Sequence, residues 1–546
     1  MPAHPSPHHD VPARQDVVVV GGGHNGLVAA AYLARAGLSV TVLERLAHTG
    51  GAAVSATAFP GVPTRLSRYS YLVSLLPARL VDELGLDLRL ASRTTASYTP
   101  VHRDQRAGGL LVESEEGEAT RRSFVDLLGD EDRGRAEHEA WTAFYADVAG
   151  LAAAVAPTLM GPLPAERAVR EQVEDRVWRD VVERPLGACI EERFTDDVVR
   201  GVVGTDALIG TFASLHDPSL VQNRCLLYHL VGNGNGTGEW RVPVGGMGAV
   251  TDALARAASE AGARLVTGAG VSAIRPGAAA SDGAEVRWHD GEREHVVHAD
   301  RVLAGVAPWV LAILLGEVDG EQERAAHDAV KPAGSQLKIN LLLDRLPALR
   351  SGVDPTVAFA GTLHLAESFG ELERAHADAA AGRVPSRMPG EVYCHSLSDP
   401  SILGDVAPGT HTLTYFGLHT PASLFEADLE GAKRLAVERA VASLDEHLAE
   451  PLMDCVARDA DGRPCLEAKV PQEIEADLAM PGGHIFHGDL DWPWAPARAR
   501  LDTAARRWGV QTAHDAVLLC GSGSRRGGAV SGLGGHSAAM AVLEDR

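Results

Sequence analysis

The chain has 546 residues, 45% hydrophobic and 23% charged, the balance of a soluble globular protein long enough for two domains. Its formal net charge of −23 opposes general electrostatic binding to nucleic acid or an anionic bilayer, leaving peripheral membrane contact at most. Six cysteines, at 189, 225, 394, 455, 465 and 520, form no C-x-x-C pair, which suits reduced thiols in a cytoplasmic protein and argues against disulfide reduction.

Residues 1–14 are rich in Pro and His without an apolar core, so they read as a disordered tail and not a signal peptide. His4, His8 and His9 there amount to no more than an adventitious metal site. Val17 to Val20 form an unbroken apolar run, as in a strand buried on both faces of a parallel sheet. Gly21, Gly23 and Gly26 follow as G-x-G-x-x-G, with Gly22 and Asn25 inside the motif. Leu27, Ala30, Ala31 and Ala34 then recur at helical spacing up to Gly37, and a second strand, Ser39 to Leu43, delivers Glu44 and Arg45. The first glycine permits a tight turn, the second lets backbone approach a pyrophosphate, and the third lets helix pack on strand. The helix N-terminus offers free N–H groups to phosphate. Glu44, 18 residues past Gly26, is placed to accept hydrogen bonds from an adenosine ribose. The alternative is a glycine-rich turn with no ligand.

Gly50 and Gly51 complete the run GGGHNGLVAAAYLARAGLSVTVLERLAHTGGAA. This run resembles the phytoene desaturase and carotenoid-ketolase-like FAD-dependent oxidoreductases. It is also similar to the group called pyridine nucleotide-disulphide oxidoreductase domain-containing protein 2. RLSRYSYLVSLL, residues 65–76, continues the likeness. The resemblance implies non-covalent FAD in an α/β, Rossmann-like domain of the glutathione-reductase type. An α+β substrate domain, a sheet backed by helices, is interleaved with it. The expected segments are 15–95, 236–310 and 500–546 for the FAD domain, and 96–235 and 311–499 for the substrate domain. In the resembled family the segment from Arg65 leads towards the isoalloxazine ring, making Arg65 and Tyr69 candidates to line the active site. A surface-paired arginine is the alternative.

Further along, Leu110 to Ser123 reads as a hairpin whose acidic tip (Glu113, Glu115, Glu116, Glu118) is a solvated turn. Trp141, Phe144, Tyr145, Val148, Leu151 and Ala152 recur at helical spacing, either as core or as the wall of a lipophilic tunnel. More helix is expected over 177–193 and 198–215. The cluster GNGNGTG, residues 232–238, precedes EWRVP and no amphipathic helix, so it is not a second nucleotide site. WRVPVGGMG, 240–248, looks like the family's return to its FAD domain. A helix over 249–260 and a strand over 264–267 follow, and the resemblance places Val271 on the adenine edge. Alternation predicts a hairpin of 284–288 with 294–298, then a further strand over 301–304.

The strand Gln336 to Leu343 carries Lys338. Here the likeness extends to flavin amine oxidases, in which a lysine at the matching strand approaches flavin N5 through a water. A lysine snorkelling from a sheet edge is the competing reading. His395, on an expected strand from Glu391 to Leu397, and His484 and His487 are histidines that either face a cavity or serve structure. H-x-x-H with Asp489 lacks a further ligand set, so no metal is expected. Ala516 to Cys520 reads as a strand leading through GSGSRRGGAVSGLGGH to a helix near Gly532. This pattern is similar to the C-terminal FAD motif of phytoene desaturases, which sets Gly521, Val530 and Gly532 around the flavin pyrimidine. Arg525 and Arg526 stand where that motif usually has His-Pro.

The expected activity is removal of hydride from a carbon of a hydrophobic substrate, with Lys338, Tyr69 and His395 as catalytic candidates. No second nucleotide unit is evident, so electrons leave to oxygen or a quinone-like acceptor. The alternatives are a redox-neutral polyene isomerase using reduced FAD, and a flavin-loaded binding protein.

Overall fold

The computed structural model describes residues 11–103, 106–232, 234, 236, 238, 240–318 and 331–546; His4, His8 and His9 lie outside the described residues, as does most of the expected tail. Two seven-stranded sheets organise the chain. The first starts with β1 (Arg14–Val20), continues through α1 (His24–Arg35) and returns as β2 (Val40–Glu44), parallel to β1. Strand Arg264–Thr267 extends the parallel sheet beyond β2, and Glu294–Ala304 flanks β1 on its other side. Val17 and Val19 pack with α1 and the helices Met247–Glu260 and Leu533–Glu544, whereas Val18 and Val20 pack on the opposite face with Trp288 and Ile274. Burial on both faces explains the unbroken valine run.

Glu294–Ala304 is one continuous strand, not the two short ones expected. Its first half pairs antiparallel with Ala284–His289, and Val302 to Ala304 pair parallel with Val517–Leu519. No breaker separates the halves, because Asp300 ion-pairs outward with Arg14. The sheet therefore combines residues near the start, the middle and the end of the chain.

The second sheet runs Leu466–Lys469, Leu337–Leu343, His411–Gly417, Gly390–Tyr393, Thr362–Leu365, Thr95–Arg103 and Arg106–Glu113. Leu337, Ile339, Leu341 and Leu343 point to one face, where they pack with Ala436, Ala440 and Leu444 of helix Leu429–Asp445. Lys338 and Asn340 point to the other by the two-residue period of a strand. A largely helical core caps that side, built around helix Glu131–Val155 with Trp141, Phe144, Val148, Trp178 and Phe194 buried together. The aromatic stripe is thus core and not a tunnel wall.

Three expectations fail here for local reasons. Leu110 lies on Arg106–Glu113, which pairs backwards with Thr95–Arg103, and helix Glu118–Leu128 follows. Glu113 is no solvated tip: its Oε2 accepts from the N–H groups of Gly117 and Thr120 at 3.0 Å, satisfying donors at the helix start. The stretch 177–193 is broken at Pro185, with helix resuming as Leu186–Arg193, and 198–215 is helical only within Asp197–Thr205. His395 opens a short helix, His395–Ser398, after the strand has ended at Tyr393. Among the described residues no helix is long and apolar enough to cross a membrane.

Candidate active site

One long cleft lies between the sheets. It begins at Glu44, Arg45 and Val271, passes Gly21, Gly23 and Gly26 at the head of α1, and ends at Tyr71, Lys338 and Phe416. Gly51, Gly521 and Val530 line it as well. Each glycine of the loop has its own geometric reason. Gly21 has φ +97°, a backbone setting that side chains resist. A Cβ at Gly26 would stand 2.2 Å from the Gly21 carbonyl oxygen. A Cβ at Gly23 would meet no protein atom closer than 4.0 Å, so the space beside it is open cleft. Gly22, Gly50 and Gly532 sit behind the lining. Gly50 N–H donates to the Gly22 carbonyl at 2.8 Å, and Gly532, at φ +72°, packs on Val28 and Leu80.

The acid ending β2 is buried and already oriented. Glu44 Oε2 accepts from Gly22 N–H at 2.8 Å, and Oε1 from Leu46 N–H at 2.7 Å. Asn25 faces the C-terminal loop instead, donating to the Gly527 carbonyl at 3.3 Å and accepting from Gly535 N–H at 3.4 Å. His24 Nε2 lies 3.1 Å from the Ala529 carbonyl, and burial lowers its pKa to about 4. His487 also lines the cleft, with burial pushing it down to about 3. His484 stands 3.8 Å from Asp489 and does not line the cleft.

These features suit a dinucleotide: a glycine loop open at its second glycine, a helix start with no side-chain cap at Gly23, and a carboxylate held at the strand end. The residues that would hold FAD are thus gathered from 21–51, 269–271, 305–306 and 521–530.

At the far end Lys338 is 2% exposed, on a strand paired on both sides, so it is no edge lysine. Its Nζ makes no hydrogen bond and sits 4.0 Å from the centre of the Tyr71 ring. Burial holds its pKa well below the ordinary value. Tyr69 lines the cleft while its hydroxyl donates to Asp477 at 2.8 Å, the oxygen that also accepts from Lys469. His395 is set back from the cleft, its ring stacked 5.9 Å from that of Tyr393. Arg65 is exposed and reaches only the Ser55 carbonyl, so the active-site expectation for it fails. It lies on the outer edge of the short hairpin Ser55–Thr57 with Arg65–Ser67.

Arg525 and Arg526 turn away from the cleft. Arg526 is 1% exposed and donates to the carbonyls of Thr158, Leu159 and Gly161, tying down the turn after the long cap helix. Arg525 reaches Asp491 and the carbonyls of Trp492 and Trp494. Sequence reasoning missed Tyr71, Phe416, Trp240, His229 and Ile209 in the lining. Phe416 had a signal available: it lies directly across from Lys338 and shares its face.

The sequence profile of the family described as flavin containing amine oxidoreductase matches residues 26–391. An uncharacterized protein of Mycobacterium tuberculosis is 50% identical over 541 residues, covering 97% of both chains. The mouse pyridine nucleotide-disulfide oxidoreductase domain-containing protein 2 is 31% identical, over 97% of this chain and 93% of its own. Among solved structures, a putrescine oxidase variant matches with a TM-score of 0.57 at 17% identity, covering 98% and 99% of the two chains. An oxidoreductase from Methanosarcina mazei gives 0.51 at 18%, over 97% and 99%. At those identities the structural likeness speaks to the fold, a mixed α/β architecture of the FAD-binding amine oxidase type. With a matching profile, a glycine loop built for pyrophosphate and an acid at the end of β2, the chain belongs to the flavin-containing amine oxidoreductase family, and its cofactor is FAD.

Proposed function

We propose that the protein oxidises a hydrophobic, uncharged substrate at carbon, in the manner of a desaturase or dehydrogenase, and passes the electrons to oxygen or a quinone-like acceptor. Bound FAD supplies the hydride acceptor. The observation that carries the reading is the far end of the cleft, where Leu72, Ile209, Trp240 and Phe416 form an apolar wall and Lys338, buried beside Tyr71, is the lining amine. Lys338 offers a cationic substrate no anion to pair with, and its N–H groups can stabilise negative charge as it develops beside them. Its unpartnered Nζ is suited to hold a water in the cleft, and the Tyr71 ring fixes its position. The apolar wall excludes bulk water and orients the substrate, while Tyr69, anchored on Asp477, closes one side.

The test is anaerobic photoreduction of the yellow protein followed by rapid mixing with oxygen or with a soluble quinone. Fast reoxidation by either acceptor is expected. An isomerase would need a polyene yet pass no net electrons, and a binding protein would reoxidise slowly with both.

A further inference from the structure

Directly behind the cleft wall lies a set of acids that the reading above does not use. Across the second sheet, Lys338 stands opposite Phe416, Phe416 opposite Glu391, and Glu391 opposite His364, so all four share the face turned to the cleft. Glu391 is 2% exposed and accepts a hydrogen bond from the Tyr393 hydroxyl. Tyr393 and Tyr71 stand ring to ring at 4.7 Å, with their hydroxyls in polar contact, and Tyr71 lines the cleft beneath Lys338. Asp206 and Glu367 join Glu391 from other elements. Glu367 is 1% exposed, and neither of its oxygens makes a hydrogen bond, although the Thr205 hydroxyl is close by.

The backbone is held to put Glu367 there. Ala366, which precedes it, has φ +50°, a strained setting for alanine. A Cβ at Gly201 would stand 1.8 Å from the Glu367 carbonyl oxygen, so the helix Asp197–Thr205 is pressed against this turn. Against three carboxyl groups the cluster sets one guanidinium, Arg93, which donates to the Trp240 carbonyl and the Thr362 hydroxyl. The other groups facing it are Tyr71, Tyr393 and His364, with Lys338 and His395 just beyond. One cation compensates one carboxylate, and a second or third charge buried without a partner is too costly. Protons must make up the difference. Burial raises all three acids, half-exposed Asp206 to about 7, and repulsion from neighbouring carboxyl groups adds to it for Glu367 and Glu391.

We propose that Asp206, Glu367 and Glu391 form a buried proton store that exchanges a proton with the cleft through Tyr393 and Tyr71. This rests on the flavin reading for its purpose. A substrate that gives up hydride must also lose a proton to end neutral. FAD, when bound, would supply the acceptor for the hydride and its electron pair. The proton passes to the Tyr71 oxygen as Tyr71 gives its own to Tyr393, and Tyr393 gives its own to a carboxylate of the cluster. Two substrate–hydrogen bonds break, one releasing the hydride and one the proton, and the proton ends in one new carboxyl O–H bond.

Infrared spectroscopy of the purified protein at neutral pH tests the store without any substrate. The carbonyl band of a buried carboxylic acid is expected in the wild type, and it should be reduced or shifted in both Glu391→Gln and Asp206→Asn. No such band, or one indifferent to both substitutions, overturns the proposal even if FAD binds normally. The path is tested by light-reducing the FAD-loaded protein while following that band. It should change with reduction in the wild type and about tenfold more slowly in Tyr393→Phe. Equal rates overturn the path. If the protein holds no FAD, the flavin reading fails, and the neutral-pH band still decides whether the acids share a proton.

Discussion

Glu44 is the clearest single-residue wager. Its carboxylate is buried, aimed by two backbone N–H groups, and exposed only to the cleft. Glu44→Ala should weaken FAD binding by about 1.5–3 kcal/mol, read as a rise in Kd on titrating FAD into the cofactor-free protein. Lys338 carries a prediction of opposite sign. The folded protein holds its pKa well below the unfolded value of 10.5. Over the interval between the two values the unfolded chain binds the extra proton, so wild-type stability rises with pH there. Lys338→Met should raise stability at pH 7 by about 1–3 kcal/mol, and the gain should shrink as pH climbs towards 10.5. Paired denaturation curves across that range check it. The same variant should retain FAD yet reoxidise in oxygen roughly tenfold more slowly, by stopped-flow absorbance. The fingerprint glycines and Glu44 were legible because their chemistry is local, set by a loop of six residues. Asp206, Glu367 and Glu391 were not, because they meet only through a strand register and a helix end far apart in the chain.

Arg526 matters at the scale of elements. It departs from the resembled motif, yet it never faces the cleft, because its guanidinium binds carbonyls of the turn that follows the cap helix. Arg526→Met removes the donors to three carbonyls, of which that of Thr158 keeps the Gly161 N–H, and should cost roughly 1–3 kcal/mol, measured by chemical denaturation. Arg526→Lys should recover little, since a point ammonium cannot serve three carbonyls set around a planar fork. The elements read correctly from sequence were those with an unambiguous period or a strong stop, such as β1, α1 and Arg264–Thr267. Leu110 to Ser123 misled because alternation shows a strand but not its partner. Only the pairing of Leu110 with Thr99 reveals that the turn precedes the strand. In Glu294–Ala304 a change of partner midway looked like a change of strand.

Over the whole molecule, the dinucleotide side of the cleft depends on contacts between the two ends of the chain. α1 packs on the helix Leu533–Glu544 so closely that a Cβ at Gly535 would stand 1.8 Å from the Asn25 carbonyl oxygen. Asn25 and His24 bind Gly527 and Ala529, and Val530 lines the cleft. A chain ending at residue 515 keeps the glycine loop, Glu44 and Lys338 but loses strand Val517–Leu519 and that helix. It should be purified colourless, with no FAD absorbance, where the full chain is yellow. There is a consequence for synthesis on the ribosome. The phosphate-binding loop, residues 21–26, is made well before strand Val517–Leu519 and the helix Leu533–Glu544, yet it waits for them before it can grip its cofactor. A message cut short or shifted in frame between codons 515 and 530 therefore yields a chain with every proposed reactive group and no flavin, unable to pass electrons to oxygen. The codons for residues 517–544 license the redox chemistry that the codons for residues 21–44 prepare.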